Sequence, residues 1–374
     1  LSIGGISQPV STRATITPER LNADERPITV GDWRQAVAGY DLLFPRDHAS
    51  HPEYRLEWWY YTGNLESTDG RKFGYQLTFF RTGVDPKPQN PSKWAVRDLF
   101  IAHFAISDID GKSFRSFERI NRSGIGWAGA DSGSYHVWNE GWIARMSGAD
   151  HLLRAFESGY GIELTLEPSK QVVLHGAEGI SQKGQNTGNA SHYYSITRLR
   201  TKGRIQMGRQ QFEVSGDSWM DHEFGTTFLE TEQVGWDWFS IQLDDGRDLM
   251  LFQLRRRDGS IDVHSSGTLV EVDGRVHQIR FGEFSLRPLT TWRSRNSNAE
   301  YPSSWIVEVP QFKLRLSVDA QLPDQELRTP ESTGVTYWEG SMKVRGRDGE
   351  REVRGRGYLE MTGYGDQNMG AIMN

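Results

Sequence analysis

The chain has no cysteine among its 374 residues. Disulfides, thiolate nucleophiles and cysteine-ligated zinc are therefore excluded. It also lacks any run of 18 apolar residues, so nothing in it reads as a membrane-spanning helix. Peripheral membrane association stays open. An excess of positive charge is missing too: 43 Lys and Arg face 49 Asp and Glu, for a net charge of −6. Nucleic-acid binding needs a dominant basic field and is not expected. The basic stretch from Lys343 to Arg356 is interleaved with Asp348, Glu350 and Glu352, as on a solvated strand face. Leu1 stands where a start methionine would be. This reads as the trace of a removed N-terminal signal, hence the expectation of a periplasmic or secreted protein.

Aromatic side chains are what the chain has in abundance: 17 Phe, 13 Trp and 13 Tyr. With a mean hydropathy of −0.63, they mark a folded protein whose apolar content is largely aromatic. The first 35 residues, rich in Ser, Thr, Pro and Arg, read as part of an extended lead-in over residues 1–39. Beyond it, four consecutive aromatics, Trp58-Trp59-Tyr60-Tyr61, make a strand that is apolar on both faces. Ser67-Thr68-Asp69-Gly70 supplies a hairpin turn, and Phe73 to Phe79 returns with period-two alternation. Short strands then recur at roughly eight-to-twelve-residue spacing, the mark of an antiparallel sandwich or barrel.

The pattern then begins again. Gly235-Trp236-Asp237-Trp238-Phe239, with Asp245-Gly246-Arg247 after it, echoes Glu57-Trp58-Trp59-Tyr60-Tyr61 and Asp69-Gly70-Arg71. Tyr337-Trp338 echoes Tyr193-Tyr194, and Val353 to Glu360 echoes Val214 to Asp221. Echoes in one order indicate tandem duplication of an all-β unit. The boundaries are read as 40–228 for the first unit and 229–374 for the second, with a short link that favours tight packing.

The stretch Ser218-Trp219-Met220-Asp221-His222-Glu223-Phe224 concentrates the chemistry. On a strand, Trp219, Asp221 and Glu223 share one face, and Ser218, Met220 and His222 share the other. Asp221 and His222 then enter one cavity only if a bulge re-aims one of them. Buried acids beside aromatics are functional candidates. The plainer reading is a strand end that satisfies neighbouring backbone groups. His103, on an apolar strand face, reads as a satisfied core histidine. The acid Asp221 is matched by Glu360 in the second repeat, which also suits a role in the fold.

Together, Glu57 to Gly63, Gly176-Ala177-Glu178-Gly179, Tyr193-Tyr194-Ser195, Ser218 to Gly225 and Glu360-Met361-Thr362-Gly363-Tyr364 resemble the AttH-like family. These are the predicted secreted hydrolases related to carotenoid 1,2-hydratases. The resemblance covers most of residues 48 to 366. It implies two tandem lipocalin-like antiparallel β-barrels and, more distantly, a fold like that of fungal enzymes that shape Diels–Alder reactions. The hydratase relatives add water to an isoprenoid double bond without a cofactor. That chemistry needs an acid, aromatic faces for the cation and a base. The residues that would supply them are Asp221 or Glu57 as acid and His222 as base. Trp58, Tyr60, Tyr75, Tyr194, Trp219 and Trp236 would form the walls. The expected partner is an apolar, isoprenoid- or lipid-like small molecule held in a cavity of the first unit. The alternative is a non-catalytic lipid carrier or transporter-accessory protein.

Other chemistries fit less well. No G-x-S-x-G elbow marks a serine hydrolase. His48 and His51 lie in Pro-rich loop sequence, and His175, His192, His222 and Glu223 match no metal spacing, so no metal or other cofactor is expected. Asp221 and Glu57 could act as paired carboxylates on a glycoside only at a suitable separation.

Overall fold

The structure, a computed structural model, describes residues 29–30, 32–92, 94–365 and 369. Most of the lead-in read over 1–39 lies outside the described residues. A small ladder, β1 (Thr29–Val30) with β2 (Trp33–Arg34), precedes the first large sheet. That sheet opens with a meander of four strands: β3 (Leu56–Ser67), β4 (Lys72–Gly83), β5 (Asp98–Asp108) and β6 (Ser113–Arg122). Shorter strands follow: β7 (Ala128–Ala130), β8 (His136–Asn139), β9 (Trp142–Ser147), β10 (Asp150–Glu157) and β11 (Tyr160–Pro168). Next come β12 (Val173–Leu174) and β13 (Ile180–Gln182), then the long β14 (Ala190–Met207) and β15 (Gln210–Gly225). The stretch 179–191, which reads as a polar loop, thus holds a strand of its own, β13, paired with β14.

The second sheet has β16 (Gln233–Leu243), β17 (Asp248–Arg256), β18 (Ser266–Val270), β19 (Val276–Ile279) and β20 (Ser285–Arg293). It continues through β21 (Glu300–Val309), β22 (Leu314–Ala320), β23 (Glu326–Arg328), β24 (Thr336–Asp348) and β25 (Arg351–Met361). Among the described residues every ladder is antiparallel, and two 3-10 turns are assigned, Arg46–His48 and Pro310–Phe312.

Both sheets share one wiring, as a duplication requires. In each, the first strand pairs with the last: β3 with β15, and β16 with β25. The register agrees residue by residue. Asp221 lies opposite Tyr60 and Ser195, and Glu360 lies opposite Trp238 and Glu339. The first hairpin turns also match. Gly70 and Gly246 take φ of +85° and +91°, a region that glycine enters without strain. The first sheet curves into a nearly closed barrel, its edge strand β6 joined to β8 by Asn121 Nδ2 donating to Asn139 Oδ1 at 2.7 Å. The second forms a half-barrel.

Each sheet has its own core. Trp59, Tyr61, Tyr75, Phe104, Trp142 and Tyr194 help fill the first, and Phe239, Trp305, Trp338 and Met342 the second. A third cluster lies between the sheets, with Tyr60, Tyr193 and Trp219 from one unit against Trp238, Phe252 and Tyr337 from the other. Both faces of β3 are thus buried, one inward and one against the second unit.

Candidate functional site

The alternation of β15 is preserved. Its pairing with β3 runs from Val214 to Gly225 without a shift, so Asp221 and His222 project to opposite faces of the sheet. The structure therefore splits the residues expected to form one site. Asp221 faces the second unit, and His222 and the Glu57 carboxylate face into the first barrel. The side chains of Asp221 and Glu57 leave the sheet on opposite faces, although both residues border one cavity.

The cluster around Glu57 is closed. Glu57 Oε1 accepts from His51 Nδ1 at 2.8 Å and lies 3.0 Å from His222 Nε2. Its Oε2 accepts from Ser50 at 2.8 Å and Arg81 Nε at 3.0 Å. Burial disfavours the Glu57 anion, but Arg81 and the two histidines hold it well below the usual carboxyl range. His222 Nδ1 is 2.8 Å from the Tyr194 hydroxyl, and its ring stacks on Trp59. Ligand atoms of His51, Glu57 and His222 lie within 4.8 Å of one another, a metal-capable set that the sequence spacing did not bring together. Both His51 nitrogens face carboxylates, Glu57 at 2.8 Å and Asp47 at 3.2 Å. Burial opposes charge there, yet these two bonds raise the His51 pKa. A metal at this set would have to displace the protons that now join His51 to the two carboxylates. This cluster ties the segment around Ser50 and His51 to β3, β4 and β15.

The open space lies between the two units. A cavity of about 300 Å³ is lined by Trp58, Tyr60, Phe80, Trp236, Trp238 and Phe252 among its apolar walls. Asp221, Glu223, Glu339 and Glu360 also line it, with Lys183. Of the residues expected to form ligand walls, Trp58, Tyr60 and Trp236 line this cavity. Tyr75, Tyr194 and Trp219 do not. Tyr75 is in the barrel core with its hydroxyl 2.7 Å from Ser218 Oγ, Tyr194 belongs to the His222 network, and Trp219 sits behind Asp221. The cavity is shared by both units and does not belong to the first alone, because the interior of the first barrel is packed with its own aromatics.

Asp221 is held by three donors. Trp219 Nε1 at 2.6 Å and the Ser195 hydroxyl reach Oδ1, and the Tyr193 hydroxyl reaches Oδ2 at 2.5 Å. Ser195 Oγ is also 2.6 Å from His175 Nε2. Because Ser195 points its proton at Asp221 and lies outside the cavity wall, this Ser-His-Asp set does not form a nucleophile. Burial pushes Asp221 up to about 7, aided by the Glu223 charge and opposed by its three donors. Glu360 accepts Trp236 Nε1 at 3.0 Å. Burial also lifts it to about 7, with Glu223 and Asp221 adding to the effect. Glu223 itself is paired with Lys183 at 3.2 Å and bonded by Ser191. Glu339, Tyr193 and Lys183 were missed by sequence reasoning. The signal for Glu339 was present: it follows the Tyr337-Trp338 echo at the register position of Ser195.

Such a site, an aromatic cavity between duplicated β-units with the buried acids Asp221, Glu223, Glu339 and Glu360 on its wall, suits acid–base chemistry on a small apolar molecule. The AttH-like family pattern matches residues 35–364, and the chain belongs to that family. A protein of Nitrosomonas europaea described as an AttH is 34% identical, with a TM-score of 0.81 over 88% of this chain and 99% of that one. Kievitone hydratase of Nectria haematococca shares the fold at 14% identity, TM-score 0.67, over 88% of this chain and 95% of that one. The dehydratase asqC of Emericella nidulans is 19% identical over 211 residues, 54% of this chain and 57% of the dehydratase. The chain thus spans little more than half the length of that curated relative.

Proposed function

We propose that the chain binds an apolar small molecule between its two units and adds water to, or removes it from, that molecule without a cofactor. The observation that carries this reading is the pair Asp221 and Glu360, buried in one aromatic cavity and both poised near pH 7. In hydration, the protonated member of the pair gives its proton to an alkene carbon. The faces of Trp58 and Trp236 stabilise the resulting cation. Water attacks the cationic carbon and loses a proton to the ionised member. The pair ends with its proton exchanged, which is the state that runs dehydration. That a hydratase and a dehydratase are among the similar proteins supports the reaction class.

A second reading has its own observation. The three donors on Asp221 suit a carboxylate that supports the fold of a non-catalytic lipid carrier. Incubation with isoprenoid alkenes and tertiary alcohols in ¹⁸O-labelled water separates the two. The enzyme reading expects label in the alcohol, lost in Asp221→Asn and Glu360→Gln. Binding without exchange across the panel would leave the carrier.

A further inference from the structure

The two oxygens of Glu339 have different surroundings. Oε2 accepts the Tyr60 hydroxyl proton at 2.8 Å. Oε1 has no partner among the described residues, although the side chain is fully buried and lines the cavity. The position that matches it in the first unit, Ser195, has its hydroxyl bonded to both Asp221 and His175. Leaving a buried carboxyl oxygen unmet is costly, and here it belongs to a residue that lines the cavity. Burial and the Glu360 charge push Glu339 well above the usual carboxyl range, against the pull of the Tyr60 bond. With Oε2 already filled by a donor, the acid's own proton belongs on Oε1. A neutral carboxyl group in such a place is a hydrogen-bond donor.

We propose that Glu339 Oε1 binds an oxygen atom of the ligand, so that the ligand is an oxygenated apolar molecule and not a bare hydrocarbon. This rests on the reading of the inter-unit cavity as the ligand site. It adds a recognition group from the second unit.

The test titrates tryptophan fluorescence with two probes of one skeleton, geraniol and its deoxy hydrocarbon 2,6-dimethylocta-2,6-diene. Wild type is expected to bind geraniol about 10-fold more tightly, the scale of one net buried hydrogen bond. Glu339→Leu should lose that preference and still bind the hydrocarbon. Glu339→Gln, which keeps an N–H donor beside the Tyr60 bond, should retain it. Equal binding of the two probes to wild type, or a geraniol preference that survives Glu339→Leu, overturns the inference and leaves the cavity reading standing. If wild type binds neither probe, the cavity reading fails and the inference falls with it. Should Glu339→Leu not fold, infrared difference spectra decide the matter. A carboxylic-acid C=O band absent from Glu339→Gln must shift with geraniol and not with the hydrocarbon, and an unshifted band overturns the proposal.

Discussion

Asn64 and Gln242 hold the same place in the two units, and each reaches across to the other. Asn64 Nδ2 donates to Gly357 O at 3.1 Å, and its Oδ1 accepts from Ser341. Gln242 Nε2 donates to Ser218 O at 3.0 Å and Thr197 O at 2.7 Å. By register, Gly357 corresponds to Ser218 and Ser341 to Thr197. The contact is therefore reciprocal, as at the interface of a two-fold dimer, but within one chain. Tyr60 and Trp238, another matched pair, meet edge to face at 5.2 Å.

Truncating either amide should be felt at the interface. Asn64→Ala and Gln242→Ala should each cost about 1–3 kcal/mol, because buried partners are left unmet. Chemical denaturation measures the cost. Native-like stability in both variants would show that the reciprocal bonds do not hold the units together.

Asp221→Asn keeps the shape and removes the transferable proton. Turnover should fall by about 10²- to 10⁴-fold with little change in ligand affinity. In wild type the rate should be bell-shaped in pH with its maximum near 7, since one acid must be protonated and the other ionised. Glu360→Gln should remove one limb of the bell. Full turnover in Asp221→Asn would move the acid elsewhere in the cavity.

Stability should also depend on these acids. Asp221 rises from 3.8 to about 7 and Glu360 from 4.5 to about 7 on folding. The folded chain then binds more protons than the unfolded chain between about pH 4 and 7, so each acid lowers stability as pH rises through that window. The full effect is on the order of 4 kcal/mol per group. Buried histidines such as His48, lowered by burial to about 3, act in the opposite sense. The comparison must therefore be wild type minus variant. The melting temperature of Asp221→Asn should gain on wild type from pH 4 to 7 and run parallel above it. A flat difference would mean that Asp221 is ionised throughout.

Glu57 belongs to the fold in this structure, and its replacement should show that. Glu57→Gln leaves the buried Arg81 and His51 without a full counter-charge and should cost about 3–5 kcal/mol. Urea unfolding checks it. A variant as stable as wild type but inactive would return Glu57 to the list of catalytic groups.

The alternation of residues 218–224 was legible because a strand has period two and β15 has no bulge against β3. The duplication was legible because matched turns and aromatic pairs recur in order. Which face of β3 borders a cavity was not. Both Trp59 and Tyr60 are apolar and buried, and hydropathy does not distinguish packing against one's own sheet from packing against the other unit. For that reason the expectation of a ligand cavity in the first unit did not foresee a cavity lined by both units. Glu339 could be placed by the Tyr337-Trp338 echo, but its counterpart Ser195 is no acid, so the repeat alone did not mark it as a site residue.

The division of the cavity between the two units also bears on synthesis. The first sheet can close once Gly225 has been made, because β3 then has its last partner, β15. Its outer face, with Tyr60, Tyr193 and Trp219, has no cover until β25 ends at Met361. At about 5–20 residues per second, translation leaves that face bare for on the order of ten seconds. During this interval the nascent half-chain carries a sticky aromatic surface, and it would need the ribosome or a chaperone to keep neighbouring chains apart.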